Sequence, residues 1–338
     1  MTSRAFYTDT LGPYLETITQ MTGFEMALPM NSGAEAVETA IKSSRRWAYR
    51  TKKVEENKAE IIVAEGNFHG RTTTIISFST DENSRKDFGP HTPGFVAVEY
   101  GSSKAIEDAI TPNTAAVIIE PIQGEGGIIV PPDNYLNEVR AICTKHNVLM
   151  ILDEIQSGLG RTGKLFAYQH SCGQCSCGEN LCEVQPDGLI LGKALGGGFM
   201  PVSVFLSSEE VLGWMDTGSH GSTFGGNPLA SALAKRSLEL LYEENLIENS
   251  RVMGDYFKEQ LTVLDSELIV EIRGMGLWLG VEIDQKYISG NELSKTLLEA
   301  GILCKETHEN TIRFAPPLVV TKEELDWGIE KIAKVFSE

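Results

Sequence analysis

The chain has 338 residues, 41% of them apolar and 33 of them glycine. That balance excludes a disordered chain and, at about 150 residues per domain, predicts two domains. Forty-seven acidic against 29 basic residues give a net charge of −18, which argues against nucleic acid or an anionic membrane as the main partner. No apolar run approaches the ~18 residues of a membrane span, and Met1-Thr2-Ser3-Arg4 opens no signal-peptide core. Six cysteines in a chain of this length make no disulfide scaffold, so a reducing, cytoplasmic setting is expected.

In chain order, Ala34–Arg50 carries Val37, Ala40, Ile41, Trp47 and Ala48 at helical spacing. Ile61–Glu65, Ala115–Glu120, Val148–Asp153, Gly188–Lys193 and Val202–Leu206 are continuous rather than alternating apolar runs, which suit strands buried on both faces of a mostly parallel sheet. Tyr135–His146 and Asn227–Glu244 are further helical patterns between and after them. Such alternation predicts an α/β layered domain, placed at residues 1–245. The texture then changes: helix Val252–Leu264, strands Leu268–Arg273 and Gly276–Ile283, helix Glu292–Ala300, strand Thr311–Phe314 and helix Lys322–Phe336 predict a smaller α+β domain at residues 246–338.

Three predicted strands end in Glu120, Asp153 and Lys193. Ligands of open α/β sheets lie beyond the carboxyl ends of the strands, so these charges are expected at one crevice. Asn31-Ser32-Gly33-Ala34 opens the first helix, where free N–H groups suit a phosphate; an ordinary helix cap fits the same residues. Around Lys193 a P-loop fails, because Gly188 lies one residue too close to Gly192 and Ala194 replaces the magnesium-binding hydroxyl residue. A dinucleotide fingerprint fails at Gly274-Met275-Gly276, since Leu279 stands where a third glycine is needed. A lysine between a buried strand and glycines suits Schiff-base chemistry with an aldehyde cofactor. Pyridoxal phosphate needs such a lysine, an anion cradle and an acid against its ring nitrogen, and Lys193, the Ser32–Ala34 turn and Asp153 supply one of each.

Seven ordered motifs then carry a family resemblance: Leu28-Pro29-Met30-Asn31-Ser32-Gly33-Ala34-Glu35-Ala36, Gly66-Asn67-Phe68-His69-Gly70-Arg71, Glu120-Pro121-Ile122-Gln123-Gly124-Glu125, Leu152-Asp153-Glu154-Ile155-Gln156, Leu191-Gly192-Lys193-Ala194, Gly221-Ser222-Thr223-Phe224-Gly225-Gly226-Asn227-Pro228 and Arg313-Phe314-Ala315-Pro316-Pro317-Leu318. The chain resembles class III, fold-type I, pyridoxal-phosphate aminotransferases, and within that class the ornithine aminotransferases. The resemblance implies a mostly parallel seven-stranded sheet in a large cofactor domain and a small α+β C-terminal domain.

It implies that Lys193 bonds the cofactor aldehyde and then shuttles a proton. Asp153 pairs with the ring nitrogen, Gln156 lies by the phenolic oxygen, Phe68 stacks on the ring, and Ser32, Gly33 and Ala34 form the phosphate turn. Ser222 and Thr223 complete that cup from a partner subunit, which implies a homodimer with its active sites at the interface. Glu120 is a neighbour of the site. Arg71 and Arg313 are implied to hold substrate carboxylates through paired hydrogen bonds. Glu125 masks Arg313 while a diamine binds and frees it for a dicarboxylic 2-oxo acid.

The reaction implied is transfer of the δ-amino group of L-ornithine to 2-oxoglutarate. Alternatives are an acetylornithine or 4-aminobutyrate aminotransferase, or a silent relative that serves as a partner subunit. Family members carry a further N-terminal segment ahead of the point where this sequence begins, and upstream sequence would leave a mitochondrial location open. His69 stands where the ornithine enzymes usually have tryptophan.

An insertion at about 170–185 holds Cys172, Cys175, Cys177 and Cys182 beside His170. Four thiols in a short loop can bind a structural zinc or another soft metal; a loop of free thiols is the alternative. Cys143 and Cys304 are expected to be packing residues.

Overall fold

The computed structural model describes residues 2, 3, 5–172, 183–308 and 310–337. The chain divides into two compact units, the first made of residues 1–121, 131–156 and 168–239, the second of residues 122–130, 157–167 and 240–338. In chain order the helices are α1 Leu11–Thr22, α2 Gly33–Trp47, α3 Glu82–Arg85, α4 Ser103–Ala109, α5 Tyr135–His146, α6 Glu209–Leu212, α7 Pro228–Glu243, α8 Leu246–Thr262, α9 Gly290–Glu299 and α10 Lys322–Ser337. The strands are β1 Met26–Met30, β2 Glu60–Ala64, β3 Phe95–Val98, β4 Thr114–Ile119, β5 Leu149–Asp153, β6 Gly188–Leu191, β7 Ser203–Ser207, β8 Ile269–Met275, β9 Trp278–Ile283, β10 Lys305–Thr307 and β11 Thr311–Phe314.

The first unit is built on a seven-stranded sheet of order β1-β7-β6-β5-β4-β2-β3, in which only β7 runs antiparallel to its neighbours. Every residue of β4, β5, β6 and β7 is buried, which is why these strands are continuous apolar runs. The pairings Ile119 with Leu152 and Asp153 with Ile190 bring the carboxyl ends of β4, β5 and β6 level.

Helix α2 packs on this sheet through Ala36, Val37, Ala40, Ile41 and Trp47. Its start is a capping box: the Glu35 N–H donates to Ser32 Oγ, and Glu35 Oε2 accepts from the Ser32 N–H at 2.7 Å. Burial would raise the Glu35 carboxyl pKa, but hydrogen bonds from Ser32 and Asn31 outweigh that and lower it.

The second unit holds a four-stranded antiparallel sheet, β10-β11-β9-β8. Leu279, Val281, Ile312 and Phe314 on its strands pack with Phe257, Leu261, Leu297 and Ile332 on its helices. Ile122 and Ile128 of the 122–130 excursion pack on Trp278. The β8–β9 turn presses directly on α8: a Cβ added at Gly254 would lie 2.1 Å from the Gly276 carbonyl carbon and 2.2 Å from its oxygen. Gly254→Ala is therefore expected to destabilise this unit by about 3 kcal/mol, at the upper end of ordinary overpacking. Urea titration would read this as a lowered midpoint, and an unchanged midpoint would mean that α8 and the turn are free to separate.

Candidate active site

At the carboxyl edge of the first unit's sheet, four segments meet. A Cβ on Gly70 would lie 2.9 Å from the Ala34 Cβ, so the Gly66–Arg71 loop rests on the first turn of α2. A Cβ on Gly33 would lie 2.9 Å from Ile155 Cδ1, and one on Gly192 would lie 3.3 Å from Ile155 Cγ2 and 3.8 Å from the Gly33 Cα. Glycine at 33 and 192 thus lets the α2 start, the residues after β5 and the Lys193 turn approach one another.

Asp153 ends β5 and is 4% exposed. Its Oδ1 accepts the Ile155 N–H at 3.0 Å, and its Oδ2 meets His69 Nδ1 at 2.6 Å. His69 is 3% exposed. Burial alone would lower its pKa, but the hydrogen bond and charge of Asp153, with the charge of Glu120 behind them, outweigh burial and raise it. Glu120, 5% exposed, accepts the Phe68 N–H on Oε2 at 3.1 Å. The Arg71 guanidinium stands over the Phe68 ring, 5.6 Å from its centroid.

Lys193, itself exposed, opens a 3-10 turn with φ 40°. That left-handed conformation is costly for a residue with a side chain, and such positions cluster at functional sites. Asn31 Nδ2 donates to Ser222 Oγ at 2.7 Å. The preceding His220 is fastened to α2, since Lys42 Nζ donates to its Nδ1 at 2.9 Å and leaves its Nε2–H for Thr39 Oγ1 at 2.8 Å. Thr223 and Phe224 are exposed, and Gln156 is half-buried.

The structure therefore brings together Ser32, Gly33, Ala34, Phe68, Asp153 and Lys193, with Ser222 tied to Asn31. Ser32 is occupied as the helix cap. Gly33 and Ala34 are left as first-turn N–H groups without an acceptor in their own helix.

The second unit carries the other expected substrate residues. Arg313 Nη1 meets Glu125 Oε1 at 2.6 Å, with side chains 16% and 25% exposed. Burial would raise the Glu125 carboxyl pKa, but Arg313 and then Lys305 hold it below its ordinary value.

Sequence reasoning missed two partners. His69 lay inside a quoted motif, but a histidine alone does not signal a carboxylate partner. Lys305 had a usable signal: it sits eight residues before Arg313, and a short hairpin between them would pair the two across strands.

The expected metal cluster finds no support among the described residues. Cys172 is disulfide-bonded, so its sulfur is not the thiolate that zinc requires. Cys175, Cys177 and Cys182 lie outside the described residues. Among the described residues no group of three or more His, Cys, Asp or Glu could hold a metal ion. Cys143 is buried and Cys304 half-buried, both free. Among the described residues no helix is long and apolar enough to cross a membrane.

The class-III aminotransferase family model matches residues 1–336. An ornithine aminotransferase of Brevibacillus brevis is 53% identical over 99% of this chain and 81% of its own length. A solved structure of the Toxoplasma gondii ornithine aminotransferase, described as having partial occupancy of PLP at its active site, superposes with a TM-score of 0.94. It is 42% identical over 100% of this chain and 78% of that one. An acetylornithine aminotransferase structure from Elizabethkingia anophelis has a TM-score of 0.86 at 42% identity, covering 100% of this chain and 80% of that one.

Proposed function

The chain belongs to the class-III aminotransferases, and from that premise we propose that it moves the δ-amino group of L-ornithine to 2-oxoglutarate. The products are glutamate 5-semialdehyde, which closes on its own α-amine to a cyclic imine, and glutamate.

The residues fit pyridoxal phosphate. A carboxylate has about four acceptor positions, and Asp153 uses two of them for Ile155 and His69, which leaves capacity for the N–H of a protonated ring nitrogen. Two first-turn N–H groups of α2 and its dipole suit the phosphate. When bound, the cofactor supplies an electron sink for the carbanion formed at the substrate carbon.

The chain's own residues do the rest. Asp153 carries the charge that keeps the ring nitrogen protonated, and His69 and the Ile155 N–H fix its orientation. Phe68 offers a ring face for stacking, and Gln156 a polar group for the phenolic oxygen. Lys193 Nζ would hold the cofactor and move the proton of the substrate carbon, a role that needs a neutral amine at working pH. Arg71 and Arg313 hold substrate carboxylates.

Two copies form the working unit in this account, with Ser222 held on Asn31 of its own chain and the exposed Thr223 beside it approaching the partner's phosphate turn. The exposed Phe199 and Phe224, 85% and 46% accessible in the single chain, suit such an interface. Sedimentation velocity is expected to give a dimer.

The observation that carries ornithine over other ω-amines is the Arg313–Glu125 pair at 2.6 Å, because a masked arginine tolerates a diamine and an unmasked one accepts a dicarboxylate. The strong identity to ornithine aminotransferases adds to it. The test is a panel of L-ornithine, N-acetylornithine and 4-aminobutyrate with 2-oxoglutarate. Cyclic imine, read by mass spectrometry, is expected from ornithine at a kcat/KM at least about 100-fold above the others. The acetylated nitrogen of N-acetylornithine cannot close that ring, so the products separate the two. Preference for N-acetylornithine or 4-aminobutyrate, or turnover of none, would reject the assignment.

A further inference from the structure

We infer that Lys305 is a positioning residue that receives the Glu125 carboxylate when Arg313 is given up to a dicarboxylic substrate. The inference deepens the function proposed above and rests on it. Lys305 of β10 lies directly opposite Arg313 of β11 in the antiparallel register. The two cations take different oxygens of one carboxylate: Arg313 Nη1 meets Oε1 at 2.6 Å and Lys305 Nζ meets Oε2 at 3.2 Å.

The backbone beneath Glu125 is clamped. Thr307 Oγ1 donates to the Glu125 carbonyl at 2.5 Å. Gln123 and Ile129 exchange backbone hydrogen bonds at 3.0 and 2.9 Å, and Arg273 Nε donates to the Gly127 carbonyl at 2.8 Å. With the loop held, release of Arg313 falls to the Glu125 side chain. The direction is set by exposure, since Lys305 is 60% accessible and Arg313 16%. A turn toward Lys305 carries the carboxylate to water and keeps it paired.

The charges agree. Two cations on one anion leave the trio at +1, which one guest carboxylate neutralises. Without Lys305, Glu125 would leave Arg313 with no cation on its other oxygen and beside the incoming anion, and like charges at short range weaken binding. A diamine with a single carboxylate, which leaves the Glu125–Arg313 pair intact, makes no such demand.

The experiment measures glutarate binding to the cofactor-loaded enzyme by calorimetry, which needs no turnover. Lys305→Gln is expected to weaken glutarate about tenfold and Lys305→Arg to restore it to within about threefold, while the single-turnover ornithine half-reaction of Lys305→Gln stays within about twofold. In a Glu125→Gln background, where no carboxylate has to be received, the effect of Lys305→Gln is expected to shrink below about twofold. Unchanged glutarate binding in Lys305→Gln overturns the inference, and so does an equal loss in the Glu125→Gln background. Failure of the wild type in the ornithine half-reaction would instead reject the function proposed above, while glutarate binding still decides the role of Lys305.

Discussion

Lys193→Ala is expected to abolish turnover, with kcat down at least about 10⁴-fold, because in the function proposed above one side chain supplies both the covalent anchor and the proton carrier. Lys193 is exposed on its turn, so the fold is expected to survive the substitution, which circular dichroism checks. Cofactor should therefore still bind, without a covalent bond. Borohydride treatment followed by mass spectrometry separates the two states. The wild type is expected to keep one cofactor per chain on the peptide that contains Lys193, and the variant none. An adduct of equal yield on another lysine of the variant would remove Lys193 from the centre of the mechanism. Alanine at φ 40° keeps the strained backbone, so Lys193→Gly, which relieves it, is the control. Equal loss in both variants assigns the defect to the missing amine.

The strands that place this site were legible because burial on both faces removes alternation. All six residues of β4 and all five of β5 are buried, and the runs Ala115–Glu120 and Val148–Asp153 read as strands without help, each within one residue of the observed bounds. Among the elements not read from the sequence, β1, β10 and α1 were illegible for physical reasons. β1, Met26–Met30, pairs on one side only, so it accommodates Pro29, a residue that in a sequence argues against a strand. β10 is Lys305-Glu306-Thr307, a short edge strand with no apolar residue. α1 begins Leu11-Gly12-Pro13, which reads as a turn, although a first helical turn has no use for the missing N–H.

The charged strand ends were likewise visible as Glu120, Asp153 and Lys193, since a carboxylate or ammonium closing an apolar run is conspicuous. Their partners were not. His69 meets Asp153 across 84 positions of sequence and Lys305 meets Glu125 across 180, and periodicity reports nothing at such separations. The second unit's use of residues 122–130 has the same character, because Ile122 and Ile128 find Trp278 through packing alone.

Asp153→Asn is the second large effect, and its two consequences separate by pH. The amide matches the carboxylate in shape, but each carboxylate oxygen accepts and an amide nitrogen donates. Asparagine cannot face both the His69 Nδ1–H and a protonated ring nitrogen as an acceptor while also receiving the Ile155 N–H. Loss of the fixed charge is expected to lower kcat about 10²–10³-fold, the scale of removing one preorganised electrostatic partner.

The stability effect follows from His69. Its folded pKa is raised, so the Asp153 partnership contributes stability that is fully present below the unfolded value of about 6.5 and is lost as pH rises through the folded value. Asp153→Asn removes that contribution. The variant should therefore trail the wild type most near pH 6, by about 3 kcal/mol for a buried charge pair deprived of one member. The gap should narrow as the wild-type imidazole loses its proton. Urea midpoints taken from pH 5.5 to pH 9 test this. A gap independent of pH would mean that His69 is neutral throughout, with Nδ1–H donating to Asp153 as an ordinary hydrogen bond. His69→Gln adds the converse check, since Asp153 then keeps its charge without the ring. Most of kcat should survive, and the pH-dependent part of the stability should vanish. That would separate the proposed role of the carboxylate toward the cofactor from that of the histidine, which orients the carboxylate.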